Sequence, residues 1–220
     1  MLRALLWGGG VALLLGAMIP SNSAWARPKA DAAMKARLLK QARSGKGMDQ
    51  LRAIDRLGRL RVYKALPILR KILRRSRKSS TLLLQMSILG LGRLRDRKSR
   101  RTIERLALNH RVFRIRRASL WALRMIGSRA SVPAFLRLLK KAPTSLEVQY
   151  AVWGLRRFRD PAHAKHLYPL LLRMSSHICL ETWRYLRRLK KIKRGRTKCS
   201  GRDIRNRRKD KQWLEKLRLP

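Results

Sequence analysis

The sequence predicts an all-α protein built as a solenoid of stacked helical hairpins, and three observations support this. A unit of about 32 residues recurs along the chain, a period typical of helical arrays. Within each unit the apolar residues follow helical spacing, as at Ile115, Ala118 and Ala122. A break separates two helical stretches in each unit, and a lone hairpin cannot bury both apolar faces until neighbours stack on it. When the units are aligned, the equivalent positions include Gly58, Gly92, Arg124 and Arg156.

The sequence of residues 1–26 is typical of a signal peptide. Arg3 supplies the charged start, residues 5–19 are apolar or Gly, and Pro20 precedes an Ala-Trp-Ala tripeptide that ends at Ala26. An uncleaved anchor is the alternative, but the run is shorter than the roughly 18 apolar residues that span a bilayer. The cations directly after it oppose translocation. We expect cleavage after Ala26 and a periplasmic or secreted chain without a transmembrane span.

Residues 27–47 predict a capping helix, which runs from Asp31 to Arg43 and is ended by Ser-Gly-Lys-Gly. The repeat array follows over residues 48–192, and residues 193–220 form a basic tail that we expect to be partly ordered at most. The four clear copies and one degenerate fifth copy begin at Leu51, Leu84, Ile115, Val148 and Ile178.

The junction between the two helices of a unit carries recognisable signals. Pro67 and Pro133 lie near the first turn of the second helix, where a missing N–H costs nothing. Asp96 and Asp160 fall at the same junction, where a carboxylate can cap free N–H groups. Each unit is therefore predicted to be a helix-turn-helix hairpin, and no strand is needed.

The third copy carries a family resemblance. Ile115-Arg116, Ala118, Ala122-Leu123, Ile126-Gly127, Ala130, Val132-Pro133-Ala134 and Leu138-Leu139 match the pattern of HEAT repeats. The chain thus resembles the HEAT repeat family, specifically the short repeats also found in phycobilisome lyases, from Leu51 to about residue 191. It departs from the pattern where Arg124 and Arg156 replace a small Gly. The resemblance implies a right-handed α-solenoid used mostly for binding and does not imply lyase activity.

The charge of the chain restricts the function classes. Lys and Arg number 57 against 11 Asp and Glu, for a net charge of +46. So few carboxylates leave little material for carboxylate dyads, calcium loops or magnesium-phosphate chemistry, and we expect no cofactor and no metal. Such a charge destabilises a compact chain by self-repulsion, so an anionic partner should stabilise it.

Arg residues recur at equivalent positions and predict basic stripes along a stacked array. Solvated cations that complement helix C-termini explain one Arg per helix, but they do not explain the whole charge. Guanidinium groups bind phosphate and carboxylate through paired hydrogen bonds. The candidate polyanion-binding residues are Arg59, Arg61, Arg93, Arg95, Arg124, Arg156, Arg157, Arg159, Arg187 and Arg188.

Trp121, Trp153 and Trp183 recur at a similar interval and permit two interpretations. They are stacking platforms for bases or sugars, or they are packing residues between repeats. Tyr150 and Tyr185 share this ambiguity. DNA glycosylases with HEAT-like repeats combine basic surfaces with aromatics but require an acid at the lesion. Glu147 and Glu181 are the acids in the later first helices, and their sequence context shows no matched catalytic geometry.

The remaining reactive residues are few. His163 and His166 have a spacing that can place two imidazoles on one helix face, but the surrounding cations disfavour a metal ion. His110 and His177 are isolated. Cys179 and Cys199 are the two cysteines, which form a disulfide in an oxidising compartment or leave Cys179 as a buried thiol.

These observations favour an exported, non-enzymatic binding scaffold whose Arg-rich surface engages an acidic protein or an anionic envelope polymer. A nucleic-acid-binding module is the first alternative, and an enzyme of the HEAT-like glycosylase or lyase type is a weaker one. The sequence leaves the partner and the oligomeric state undetermined.

Overall fold

The structure is a computed structural model that describes residues 31–141, 144–172, 176–189 and 199. Its regular elements are α-helices and short 3-10 helices, so the all-α prediction is confirmed for this part of the chain. The predicted signal peptide and the basic tail, apart from Cys199, lie outside the described residues. Among the described helices, none has the length and apolar character needed to cross a bilayer.

Ten α-helices follow one another in the described ranges. They are α1 Ala32–Ser44, α2 Gly47–Arg59, α3 Leu66–Arg74, α4 Thr81–Arg93, α5 Arg100–Asn109, α6 Phe113–Ile126, α7 Val132–Lys141, α8 Ser145–Leu155, α9 Ala164–Leu167 and α10 Ser176–Arg188. Four helix pairs follow the predicted register, with first helices α2, α4, α6 and α8 and second helices α3, α5, α7 and α9. Helix α10 is the first helix of the fifth copy.

Local signals place the helix ends near the predicted positions. Asp31 caps α1 through the backbone N–H of Met34, and Ser80 caps α4 through that of Leu83. Pro67 occupies the first turn of α3, where its missing N–H costs nothing. Helix α2 begins at Gly47, one residue before the predicted start of the array.

The junctions differ from the prediction in one respect. A single turn of 3-10 helix lies between the first and second helix of each unit, at Tyr63–Ala65, Arg97–Ser99, Arg129–Ser131 and Pro161–His163. Asp96 and Asp160 cap two of these turns, as their sequence positions predict. The fourth second helix is also shorter than expected. Helix α9 ends at Leu167 and continues as 3-10 helix because Pro169 cannot donate a hydrogen bond to the helix.

The first helices pack side by side in chain order, and each second helix packs against the first helix of the next unit. Helix α1 packs on α2 and covers that end of the array. Neighbouring first helices approach closely at small residues. A Cβ on Gly92 would lie 2.7 Å from the Cα of Ala122, and one on Gly58 would lie 3.0 Å from the Cα of Gly90. These contacts join C-terminal halves, so the first helices run in the same direction.

One continuous apolar core fills the space between the layers. It contains residues from every unit, including Ile54, Ile88, Leu123 and Leu155, all of which are inaccessible to solvent. The large side chains Phe135 and Tyr185 complete it towards the C-terminal end. Since no unit closes its own core, the units depend on one another for stability.

Candidate functional site, the Arg edge

The C-terminal turns of the first helices lie along one edge of the array because these helices are parallel. We call this edge, with the one to four residues that follow each helix, the Arg edge. All ten Arg residues predicted as polyanion ligands lie on it, in or directly after α2, α4, α6, α8 and α10. Stacking of the units thus brings together side chains that are about 30 residues apart in sequence.

Four of the predicted residues are engaged within the protein. Arg93 and Arg156 are half-buried, and each pairs with a carboxylate on a neighbouring first helix, Asp55 at 2.6 Å for Arg93 and Glu181 for Arg156. Arg59 also binds Asp55, at 2.7 Å from within the same helix. The guanidinium of Arg124 lies 5.0 Å from the ring centre of Trp153, a cation–π contact. Arg93, Arg124 and Arg156 thus connect neighbouring repeats, whereas Arg59 is 68% exposed and pairs only within its own helix.

The other six predicted residues are exposed on the Arg edge, and the structure records no ion pair for them in the described part of the chain. They are Arg61, Arg95, Arg157, Arg159, Arg187 and Arg188. Arg157 additionally packs on the backbone of Gly127, where a Cβ would come within 2.5 Å of its Cζ. The accessible positive charge of the edge therefore comes from a subset of the predicted stripe.

Three of these exposed residues adopt a backbone conformation that disfavours their side chains. Arg61, Arg95 and Arg159 have φ angles of 53°, 52° and 47°, in the left-handed region. The equivalent residue of the third unit is Gly127, with φ 62°. Left-handed φ costs a residue with a Cβ about 1–2 kcal/mol relative to the right-handed region, a cost that Gly avoids. Three units thus carry Arg where the backbone favours Gly.

Most carboxylates of the described part are consumed in ion pairs with Arg. Arg70 donates two hydrogen bonds to Asp96, at 2.8 and 2.5 Å. Burial alone would raise the pKa of Asp96, but hydrogen bonds from Arg70 and Ser99 outweigh it and leave this pKa below its ordinary value. The carboxylates paired with Arg are Asp55, Asp96, Glu104, Glu147, Asp160 and Glu181.

Both acids that an enzyme would need are held in such pairs. Glu147 is fully buried, accepts a hydrogen bond from Nε of Arg116 at 2.6 Å, and accepts another from Thr144. Glu181 binds Arg156, Arg184 and the indole N–H of Trp153. Burial would raise the pKa of Glu181, but these donors and their charge lower it below the ordinary value. Both carboxylates are thus occupied by hydrogen-bond donors of this chain.

The tryptophans lie between repeats. Trp183 is buried, and Trp121 and Trp153 are half-buried. Arg93 lies over the ring of Trp121 at 5.7 Å, as Arg124 lies over that of Trp153. An Arg of the preceding unit therefore covers one ring face of each half-buried Trp, and that face is closed to a base or sugar. Tyr150 packs edge-on against Trp153, at a centroid distance of 5.4 Å.

His163, directly before α9, has a structural partner. The hydroxyl of Tyr185 donates to the carbonyl of Leu155 at 2.9 Å, so it accepts the hydrogen bond from Nδ1 of His163 at 2.7 Å. Burial lowers the pKa of His163, although nearby Asp160 opposes this, and burial and Lys165 lower the pKa of His166. Burial also raises the pKa of Tyr185 above its ordinary value. Within the described residues no group of three metal-ligating side chains occurs.

Cys179 and Cys199 are joined by a disulfide, with their Cα atoms 5.6 Å apart. Both cysteines are buried. The bond ties the segment after α10 back to this helix, which also carries Arg187 and Arg188. Cys179 lies in the first turn of α10 and Arg187 and Arg188 lie in its last turn, so the bond is at the opposite end of this helix from the Arg edge.

Sequence reasoning missed other cations of this edge. Arg97 and Arg129 are equivalent in the stacking and are exposed, in the 3-10 turns that follow the left-handed positions. The side chain of Arg129 is 75% exposed and lies 3.6 Å from Asp160. Their spacing of 32 residues is the signal that could have identified them.

Comparison with known proteins gives one match. The sequence model of the family described as HEAT repeats matches residues 76–156, which covers α4 to α8 and the segments between them. No curated protein matches the chain.

Proposed function

Residues 76–156 belong to the HEAT repeat family, and we propose that the protein is a non-enzymatic binding scaffold whose Arg edge engages an acidic partner. Arrays of this kind present an extended surface to which several repeats contribute. The partner is an acidic protein or an anionic polymer of the cell envelope. The proposal includes a right-handed solenoid of stacked hairpins and repeats similar to those of phycobilisome lyases.

The observation that carries the proposal is the Arg side chain at three left-handed positions. Arg61, Arg95 and Arg159 are exposed, and their backbone would be relaxed by Gly, which the third unit has at Gly127. Within the described residues, none of the three side chains forms an ion pair that could offset this strain. Backbone hydrogen bonds hold this conformation, such as that from the N–H of Arg95 to the carbonyl of Gly92, and residues held in strained conformations cluster at functional sites.

The chemistry of the edge suits carboxylates or phosphates. An exposed guanidinium donates two parallel hydrogen bonds to either group. Most acids of the described array are already paired, so a partner's anions meet little competition from them. A surface with one sign of charge also accelerates encounter with a partner of the opposite sign.

Nucleic acid is the second candidate, supported by the same Arg rows but opposed by the aromatic residues. Single-strand binding gains from bases that stack on open aromatic rings. Arg93 and Arg124 already cover one face of Trp121 and Trp153. An acidic protein or polymer needs no such rings. The enzyme alternative would require Glu147 or Glu181 to leave its ion pairs, and we do not favour it.

Two exposed residues of the edge and two exposed residues elsewhere form a matched test. The edge variant Arg95→Glu/Arg159→Glu and the control variant Arg137→Glu/Lys165→Glu change the net charge equally. Binding to polyglutamate and to a DNA duplex is measured over a range of salt concentrations. We expect the edge variant to weaken polyglutamate binding by about tenfold and the control to change it little, because local complementarity exceeds the screened net charge.

The outcomes separate the candidates. Equal weakening by both variants means that net charge alone drives binding, and it contradicts the proposal. Tight duplex binding that falls steeply with salt and requires the edge residues favours the nucleic-acid candidate. Export is tested by fractionation of the native host and N-terminal sequencing. A start at Arg27 outside the cytosol supports export, and an intact Met1 in the cytosol refutes it.

A further inference from the structure

A second basic surface lies at the opposite edge of the array, where the first helices begin. It is a groove of about 1470 Å³ between α3, the 75–80 segment, the start of α4 and the end of α5, with the end of α1 at one side. Small-molecule pockets usually measure about 300–1,000 Å³, so this groove has room for a larger ligand. We call it the basic groove.

The basic groove is distinct from the Arg edge. Helix α4 begins beside the groove at Thr81 and ends on the Arg edge at Arg93. Its 13 residues span about 20 Å at 1.5 Å per residue. A small probe bound at one surface therefore does not contact the other.

The rim of the basic groove is cationic. Seven Lys and Arg residues line it, and its lining includes no Asp or Glu. All seven are exposed, and none forms an ion pair recorded in the described residues. Lys71, Arg74 and Arg75 complement the C-terminus of α3, which accounts for their charge in part. The others come from separate elements, and the full set is Arg43, Lys71, Arg74, Arg75, Arg77, Lys78 and Arg105.

The floor of the basic groove is aliphatic. Ile68, Ile72 and Leu83 are half-buried and pack against the core, so each contributes part of its side chain as apolar lining of the groove. The lining contains no Phe, Tyr or Trp, and therefore no ring on which a base could stack.

The segment that carries part of the rim is held in place by hydrogen bonds. The hydroxyl of Ser79 donates to the carbonyl of Arg75 at 3.0 Å, and the N–H of Lys78 donates to the same carbonyl at 2.8 Å. Ser80 caps α4. The turn therefore presents Arg77 and Lys78 without further ordering, which lowers the entropy cost of binding.

From this combination we propose that the basic groove binds an acidic amphipathic peptide segment of a partner protein. Leu or Ile side chains of the segment would lie on the floor at Ile68, Ile72 and Leu83. Its Asp and Glu carboxylates would pair with Arg and Lys of the rim. Such recognition, with apolar anchors and flanking charge complementarity, is a recurrent way to bind a helix in a groove. The site is separate from the one in the proposed function and does not depend on it.

The test uses a defined probe and matched variants of the full chain. The probe is a fluorescein-labelled peptide of Glu and Leu, about 15 residues or four turns long, with Leu at helical spacing. A scrambled peptide of the same composition has no apolar face. The groove variant Arg77→Glu/Arg105→Glu is compared with the edge variant Arg95→Glu/Arg159→Glu and with the control Arg137→Glu/Lys165→Glu, all with equal charge change. Thermal melts check that each variant is folded.

We expect the amphipathic peptide to bind at least about tenfold more tightly than the scrambled one, because only one has a continuous apolar face. The groove variant should weaken this binding by at least about tenfold, while the edge and control variants stay within about threefold of the native chain. As a second variant, Ile72→Ser removes floor contacts without changing charge and should reduce the preference for the amphipathic peptide over the scrambled one.

Four results would overturn the proposal. Equal affinity for the two peptides would show that the floor contributes nothing. Equal loss in all three double variants would show that net charge accounts for binding. Competition by a single-stranded oligonucleotide or by anionic vesicles, but not by unlabelled amphipathic peptide, would assign the groove to another ligand. Loss in the edge variant alone would support the proposed function while refuting this second site.

Discussion

Replacing Arg95 by Ala and by Gly separates the role of its charge from the strain of its backbone. Its φ of 52° lies in the left-handed region, and its N–H, a group that Ala and Gly also have, donates to the carbonyl of Gly92 at 3.0 Å. Ala removes the guanidinium but keeps the Cβ that makes this conformation unfavourable, whereas Gly removes both. The two variants have the same charge, so their difference in stability reports the backbone alone.

The expected difference in the free energy of unfolding between the Gly and Ala variants has two contributions. Left-handed φ costs a residue with a Cβ about 1–2 kcal/mol, and the greater freedom of Gly in the unfolded chain offsets about 0.5–1 kcal/mol of the gain. Arg95→Gly should therefore be more stable than Arg95→Ala by about 0.5–1 kcal/mol, or a few °C in melting temperature for a chain of this size. Urea titration followed by circular dichroism measures the free energy of unfolding.

The same change at Arg61 and Arg159 provides a larger signal, since sites in separate units should add. The triple Gly variant should exceed the triple Ala variant by about 1.5–3 kcal/mol. Both triple variants should lose polyglutamate binding to the same degree. If the Ala and Gly variants are equally stable, the backbone is unstrained and the observation behind the proposed function is lost. If both are stabilised but bind as the native chain does, these residues have no binding role.

Four further predictions test other parts of the structure. Ala118→Asp places an unpaired carboxylate at a position 4% exposed and should abolish cooperative melting, whereas melting at the native temperature would contradict the helix register. Glu147→Gln breaks a buried ion pair and should lower the free energy of unfolding by about 2–3 kcal/mol. The loss is below the usual 3–5 kcal/mol because Arg116 keeps hydrogen bonds to two backbone carbonyls. A variant more stable than the native chain would instead favour a role for Glu147 as a catalytic acid. Burial lowers the pKa of His163 in the folded chain, whereas in the unfolded chain this pKa is about 6.5. The unfolded chain therefore binds more protons, and the melting temperature should fall as the pH drops from about 7.5 to 5. His163→Gln should reduce that fall, and an unchanged dependence of melting temperature on pH would contradict this assignment. Cys199→Ser opens a loop of about 20 residues and should lower stability by up to about 3 kcal/mol, and an identical melt under oxidising conditions would show that the disulfide does not form.

Periodicity alone predicted the helical register because the buried faces of a repeat array depend on local spacing. Ala118 and Ile115 are buried where the helical spacing places them, and Pro67 and Pro133 lie in the first turns of α3 and α7. The caps at Asp96 and Asp160 are local as well. Two local features, the 3-10 turns and the length of α9, were not predicted from the sequence. The residues of the 3-10 turns have no distinct composition, and Pro169 shortened a helix that apolar spacing had extended.

Sequence by itself determined which Arg residues are equivalent, and therefore that they share one edge. It could not determine which of them are free, because Arg93 and Asp55 are 38 residues apart and Arg156 and Glu181 are 25 apart. Ion pairs between repeats depend on how neighbouring helices approach, which no single repeat encodes. Only the tertiary structure distinguished paired from exposed guanidinium groups, revealed strain at Arg61, Arg95 and Arg159, and brought the ends of α1, α3 and α5 together around the basic groove.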